Sequence, residues 1–269
     1  MTPNPSSGSV NFDRAAGYYD QSRKRSPWVD AQTAALLCQE LAGRGRCLEI
    51  GVGTGRIGLP LHNAGIDMAG VDISPLMLER LVEKAGGRPP FPLALADATA
   101  LPFGGATFGA GVAAHVFHLI APWRGAVAEL VRVVRPGGVV VVQLTERWGE
   151  PYREVRQRLV AAGGLDRIHL GVRDAAELDE AFASHGVPAR ELPKVIEVNE
   201  ISLEVLIADF EKGTFSYTWR IDEQARRRAA AEVRAWARTV YGSLDEMRPA
   251  RSEIGWRAYD LPGRPGRAL

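Results

Sequence analysis

The 269-residue sequence predicts a doubly wound α/β fold, a mainly parallel sheet with helices on both faces. Three observations lead there. Short apolar runs alternate with segments of helical periodicity as far as Thr145. The first run, Cys47-Leu48-Glu49-Ile50, opens directly into a turn with glycine at Gly51, Gly53 and Gly55. The second run closes on a carboxylate, Asp72, 21 residues after Gly51.

Each element has its own signal. A helix is expected from about Trp28 to Ala42, with Ala31, Ala34, Ala35, Leu37 and Leu41 at helical spacing. After the glycine turn, Ile57 to Asn63 reads as helix and Ala69 to Ile73 as strand. Ser74-Pro75 then places a capping side chain before a proline at the first position of a helix running to Lys84. Leu93 to Ala96 and Gly109 to His115 are the third and fourth strands. Pro122 to Val134 is helical, with Ala126, Val127, Leu130 and Val134 on one face. The unbroken apolar run from Val139 to Leu144 suits a strand buried on both sides.

Beyond Thr145 the alternation weakens. Tyr152 to Ala162 and Asp174 to His185 are expected as helices, Ala189 to Val198 as a strand, and Ser202 to Glu211 and Asp222 to Tyr241 as helices of an insertion ahead of a last strand, Glu253 to Tyr259.

Composition excludes several classes. A net charge of +1 supplies no overall field for nucleic acid or an anionic membrane surface. The polar stretch Met1 to Ser9 lacks the apolar centre of a signal peptide, and no run approaches the ~20 apolar residues of a membrane span, so a cytoplasmic location is expected. Two cysteines, Cys38 and Cys47, are too few for a disulfide framework or a thiolate metal site, and no metal is expected.

Glycines after a first strand let the backbone turn sharply and approach a ligand, while the next helix offers free amides. Asp72 stands where a carboxylate can accept hydrogen bonds from both hydroxyls of a ribose. These features predict a nucleotide-like ligand. A nicotinamide site would read G-x-G-x-x-G, but Arg56 follows Gly55, so the third glycine comes one residue early.

The chain resembles the class I S-adenosylmethionine-dependent methyltransferases, small-molecule type, similar to the quinone-biosynthesis group. Leu48 to Gly55, Gly70 to Ser74, Ala96-Asp97-Ala98 with Leu101-Pro102-Phe103, and Arg135-Pro136-Gly137-Gly138 carry the resemblance in family order. It implies a Rossmann-like sheet of seven strands, the last antiparallel, with a helical cap. The expected organisation is one domain over 1–269: an N-terminal lid (1–30), a cofactor-binding core (31–198), the cap (199–249), and a last strand with tail (250–269).

The resemblance further implies S-adenosylmethionine as cofactor and S-adenosylhomocysteine as product. Gly51, Gly53 and Gly55 would line the methionine part and Glu49 would act near its amino group. Asp72 would hold the ribose, Ile73 and Met77 would flank the adenine, and Asp97 and the Ala98 amide would bind its edge. Ala114 and His115 would pass beneath the methionine moiety. Tyr18 or Tyr19, here assigned as Tyr19, would close over the sulfonium.

The expected reaction is direct in-line methyl transfer to a small-molecule acceptor. A catalytically inactive cofactor-binding protein and an NAD(P)-dependent oxidoreductase are the alternatives. Strand four ends Ala113-Ala114-His115-Val116, without the Asn or Asp and paired prolines that similar enzymes use on nucleic-acid amines. His115 or His118 is the candidate base for an acceptor that must lose a proton, and either also suits a plain pocket-wall role. Phe210, Phe215, Tyr217 and Trp219 suit either core packing or an apolar cover over an acceptor. The run Arg226-Arg227-Arg228 is expected to be a solvated helix face.

Overall fold

The computed structural model describes residues 8–144 and 147–263. Met1 to Ser7, Thr145, Glu146 and 264–269 lie outside the described residues, and with them most of the polar N-terminal stretch and the expected tail.

A seven-stranded sheet is built from β1 (Cys47–Ile50), β2 (Met68–Asp72), β3 (Leu93–Leu95), β4 (Phe108–Ala114), β5 (Val134–Gln143), β7 (Ala189–Glu191) and β10 (Trp256–Asp260), in the order β3-β2-β1-β4-β5-β10-β7. The first five strands in that order are parallel, and β10 runs antiparallel to both its neighbours. The expected Rossmann-like fold and its antiparallel last strand are both present. From β1 the chain winds outward through β2 to β3, then returns to place β4 on the other side of β1. Adjacent helices therefore diverge at the carboxyl ends of β1 and β4 and leave a crevice there.

Local chemistry sets the boundaries. Ser74 accepts from the Met77 amide ahead of α4 (Pro75–Lys84), and Asp174 from the Glu177 amide ahead of α7 (Ala175–Ala183). Both caps satisfy amides that the helix leaves open. Helix α2 (Pro27–Leu41) buries Val29, Thr33, Leu37 and Leu41, a stripe of four-residue spacing. Ala31 and Ala35 are exposed, because alanine is small enough to sit on either face and marks neither. The β5 strand begins at Val134 rather than Val139, directly after α5 (Trp123–Val133), so the Arg-Pro-Gly-Gly turn is part of the strand. Inside this unit Leu48, Ile50, Ala113, Val140, Val142 and Leu130 form one apolar cluster.

Two compact units emerge from the fold: 1–145 with 171–195 and 255–269, and 146–170 with 196–254. The second holds α6 (Tyr152–Ala162), α8 (Leu203–Lys212), α9 (Glu223–Tyr241) and a three-stranded sheet of β6 (Arg147–Trp148), β9 (Arg248–Ile254) and β8 (Val195–Ile201) in the order β6-β9-β8. Residues 146–170 thus belong with the helical insertion and not with the core to which the sequence assigned them. The expected strand Ala189 to Val198 is two strands, β7 and β8, in different sheets, separated at Leu192-Pro193-Lys194. Phe210 and Tyr217 are buried in this unit's own apolar cluster with Tyr152, Leu159 and Val233. Phe215 stacks on Tyr217 at 5.6 Å and the Trp219 indole donates to the Gly213 carbonyl at 2.9 Å, so the aromatic group serves as packing there. Arg226 is no free surface charge either; it donates to the Ile221 carbonyl at 2.6 Å and the Glu211 carbonyl at 3.1 Å. Among the described residues no helix is long and apolar enough to cross a membrane.

Candidate cofactor site

The carboxyl ends of β1, β2 and β4 border a cleft of about 630 Å³ open to solvent. Ten of the residues named from the sequence line it: Tyr19, Gly51, Gly53, Asp72, Ile73, Met77, Asp97, Ala98, Ala114 and His115.

Asp72 organises the floor. Its Oδ2 accepts from the Gly53 amide and its Oδ1 from the Ser74 amide, each at 2.8 Å. A carboxylate offers about four lone-pair sites, so roughly two remain for a ligand's hydroxyls. Burial pushes this carboxyl up to about 6, against the pull of the amides. Across the cleft, Asp97 Oδ1 is held by the Thr99 amide at 2.9 Å and the Thr99 hydroxyl at 2.8 Å.

The glycines differ in what they do. Gly51 has φ +64°, and a Cβ there would lie 2.7 Å from the Val116 side chain. Gly53 has φ +54° beside Met77. Both are on the cleft wall, in a backbone conformation that costs a side-chain-bearing residue about 1 kcal/mol or more. Gly55 does not line the cleft. Its missing Cβ faces Leu59 at 2.8 Å and Leu81 at 3.0 Å, so it allows helix packing behind the turn.

Glu49 is likewise absent from the wall. It is buried in β1 with Oε2 2.6 Å from where a Gly58 Cβ would stand. That oxygen takes no hydrogen bond among the described residues. Burial holds the carboxyl well above the usual carboxylate range, only partly offset by the Arg56 charge.

His115 follows β4 with φ +54° and lines the cleft. Arg25 Nη2 lies 3.4 Å from His115 Nε2. Arginine only donates, so Nε2 accepts and the proton of the neutral ring sits on Nδ1. Burial, with Arg56, Arg25, His118 and Arg23 adding to it, holds the ring well below the usual histidine range. His118 is not part of the wall; its ring centre lies 6.4 Å from that of His115.

The N-terminal segment supplies a wall that motif reading found only at Tyr19. Ser9, Val10 and Phe12 also line the cleft, with Phe12 packed edge-on against Tyr19 at 5.7 Å. Tyr18 does not line it. Several ties hold the segment in place. The Val10 amide donates to the Leu119 carbonyl at 3.0 Å, the Ser74 hydroxyl meets Asp13, and Asp20 accepts from Thr54 at 2.6 Å and from Lys84 at 2.9 Å. The acidic Asp13 and Asp20 flanking the tyrosines are the signal for this docking, since their partners are the cap of α4, Ser74, the glycine-turn residue Thr54 and the α4 residue Lys84.

These features fit S-adenosylmethionine on their own terms. A half-satisfied carboxylate suits vicinal hydroxyls, and Asp97 Oδ2 takes no hydrogen bond among the described residues and suits an exocyclic amine.

The "Methyltransferase domain" family profile matches residues 48–142, the stretch that carries the glycine turn, Asp72 and Asp97. The ubiquinone/menaquinone biosynthesis C-methyltransferase of Syntrophotalea carbinolica is 34% identical over 189 residues, covering 65% of this chain and 79% of that protein. The phosphatidylethanolamine N-methyltransferase of Cereibacter sphaeroides is 40% identical over 101 residues, covering 36% of this chain and 49% of that one. Several curated relatives are thus matched over about half of their length. In fold, the crystal structure of the YcgJ protein from Bacillus subtilis is similar with a TM-score of 0.62 at 18% identity, covering 87% of this chain and all of that one. With the motif order, the sheet topology and these likenesses together, the chain belongs to the class I S-adenosylmethionine-dependent methyltransferases.

Proposed function

We propose that the protein transfers the methyl group of S-adenosylmethionine to a small-molecule acceptor by direct in-line displacement. The observation that carries this reading is the Gly53 amide bonded to Asp72 at the topological switch point, because it ties a ligand-admitting turn to a hydroxyl-binding carboxylate. Asp72 would hold the ribose, with Ile73 and Met77 flanking the adenine and Asp97 and the Ala98 amide on its polar edge. Gly51 and Gly53 admit the methionine part, with Ala114 and His115 beneath it and Glu49 near its amino group.

The cofactor supplies an already activated methyl group on a sulfonium. The chain's own contribution is therefore alignment and exclusion of water. Val116, Leu119 and Ile120 keep the wall beside His115 apolar. His115 is neutral near pH 7, and its Nε2 is engaged by Arg25. We assign His115 to positioning the wall ahead of any role as base, and His118 to supporting it.

Isothermal titration with S-adenosylmethionine, S-adenosylhomocysteine and NADH, followed by an acceptor screen with methyl-labelled cofactor, tests the proposal. Saturable binding of both sulfur nucleotides together with label transfer is expected. Binding of NADH alone would make this a nicotinamide site, and cofactor binding without transfer to any acceptor would leave a binding protein.

Protons should compete with the ribose. Only the ionised Asp72 is a full acceptor, so affinity for S-adenosylhomocysteine is expected to be flat above pH 7 and to fall by up to about tenfold per pH unit below about pH 6. For folding the sign is opposite. The raised carboxyl contributes stability fully below its unfolded value of 3.8, and that contribution is lost as pH rises through about 6. Titrations from pH 5 to pH 8 on the parent and on Asp72→Asn check this; a variant that keeps the parent's acid limb would assign it to another group.

The tyrosines separate cleanly. Tyr19→Ala is expected to weaken S-adenosylmethionine binding by about 3- to 30-fold, the range of an aromatic–cation contact, and to weaken neutral S-adenosylhomocysteine less. Tyr18→Ala should leave both unchanged. Equal losses for the two ligands would assign Tyr19 to packing alone.

A further inference from the structure

Asp72 is bonded on one side to the glycine turn and on the other to Ser74, and Ser74 is itself held from a distant part of the chain. The Ser74 amide donates to Asp72 Oδ1 at 2.8 Å, and the Ser74 hydroxyl donates to Asp13 Oδ1. The same Asp13 oxygen accepts from the Leu76 amide at 3.2 Å. Ser74 is fully buried, and neither it nor Asp13 lines the cleft. Phe12 beside Asp13 does line it, as do Asp72, Ile73 and Met77 around Ser74. Asp13 therefore joins two walls of the cleft from outside it, across 61 residues of sequence.

Helix capping alone does not account for Asp13. Ser74 already serves the Met77 amide at 3.2 Å, and Pro75 at the first position of α4 has no amide to serve. That leaves Leu76 in the first turn, an exposed residue whose amide water can serve. Nor does docking of the N-terminal segment depend on it alone, since Val10 on the Leu119 carbonyl and Asp20 on Thr54 and Lys84 tie that segment separately. What Asp13 adds is an acceptor for the buried Ser74 hydroxyl. A hydroxyl has one proton and rotates to suit its acceptor. With that proton on Asp13, the Ser74 oxygen is left to accept from Met77 while the Ser74 amide donates to Asp72.

We propose that Asp13 is a positioning residue for the cofactor: by fixing Ser74 it holds the Asp72 carboxylate in the orientation that takes the ribose hydroxyls. This rests on the reading that Asp72 binds the ribose of S-adenosylmethionine. It adds a residue of the N-terminal segment, outside the cleft, on which that binding depends. A ligating carboxylate keeps its free lone pairs in place only while the groups bonded to its other side are themselves held.

The test compares S-adenosylhomocysteine with its 2′,3′-dideoxy analogue by calorimetry on the full chain. The parent is expected to bind S-adenosylhomocysteine at least about tenfold more tightly than the analogue. Asp13→Ala should weaken S-adenosylhomocysteine about tenfold and the analogue less than about twofold, because the analogue has no hydroxyls for Asp72 to hold. Asp13→Asn keeps an acceptor oxygen for Ser74 and Leu76 and should bind both ligands within about threefold of the parent. Asp20→Asn loosens the same segment at its other tie and should shift both ligands alike. A lower melting temperature for Asp13→Ala with the affinity ratio of the two ligands kept would make Asp13 a structural tie and overturn the proposal. An equal change of that ratio in Asp20→Asn would overturn it too, by assigning the effect to the segment as a whole. Where the alanine variant does not fold, Asp13→Glu, which keeps the charge and displaces the oxygen by one methylene, is read for the same ratio. A parent that binds both ligands equally, or neither, would instead remove the ribose reading on which the proposal rests.

Discussion

Asp72→Ala is expected to weaken S-adenosylhomocysteine binding by about 100-fold or more while the protein stays folded. The carboxylate has two jobs that alanine cannot perform. Its remaining lone pairs would accept from two ribose hydroxyls, and a hydrogen bond to a charged group is worth about 1.5–3 kcal/mol, so two partly hydrated ones together account for the expected factor. It also fixes the Gly53 amide and the Ser74 amide, each at 2.8 Å, which holds the glycine turn open at its observed width. The Gly53 and Ser74 amides belong to buried residues, so some stability is lost, but Asp72 itself lies on the open cleft, where water can fill the space its carboxylate leaves. Relief of the burial that pushes this carboxyl up to about 6 further offsets the loss. Calorimetry gives the affinity and circular dichroism the fold. A dissociation constant within about threefold of the parent's would remove Asp72 from the site.

That the sequence points to this carboxylate follows from geometry a short chain cannot avoid. A strand, a turn, one helix and a second strand bring the two strand ends together at nearly fixed length, so the 21-residue interval from Gly51 to Asp72 is a spatial statement. The glycine turn was legible for the same reason, though not residue by residue. Gly51, Gly53 and Gly55 share positive φ and alternate in sequence, and only the packing of Leu59 and Leu81 shows that Gly55 faces inward.

What stayed hidden depends on contacts between distant segments. Phe12, Ser9 and Val10 reach the cleft through an isolated bridge, Ser9 to Ile120, and scattered side-chain ties from Asp13 and Asp20, none of which has a period to read. The three-stranded sheet was missed because its strands are short or continue, after one break, into the other sheet. Gly255 alone separates β9 from β10, and Pro193 lies in the gap between β7 and β8. In the second unit the aromatic residues at 210–219 could be counted but not oriented, since packing in a core and lining a pocket demand the same side chains.

Gly109→Ala is expected to destabilise the protein by more than about 4 kcal/mol, seen as a melting temperature lower by about 10 °C or as loss of soluble protein. A Cβ at Gly109 would lie 1.5 Å from the Arg44 carbonyl oxygen and 2.5 Å from its carbon. Both are backbone atoms, so no rotamer change relieves the overlap. Nor can the turn after α2 withdraw freely. Arg46 accepts from the Gly109 amide at 2.8 Å, and the Arg44 carbonyl also accepts from Arg135 Nη2 at 2.8 Å. The pairing of β4 with β5 slips between Phe108 and Ala110, and a Cβ on Gly138 across that slip would meet the Gly109 carbonyl at 2.6 Å. Three backbone segments therefore converge where only glycine leaves room. Movement of β4 to admit a methyl group would displace Ala114 and His115 at its other end, coupling stability here to the cleft. Gly17→Ala, with nothing within 4 Å of its added Cβ, is the control and should melt with the parent. A Gly109→Ala protein that melts within about 2 °C of the control would show that the turn yields, and that β4 is not held in place from this end.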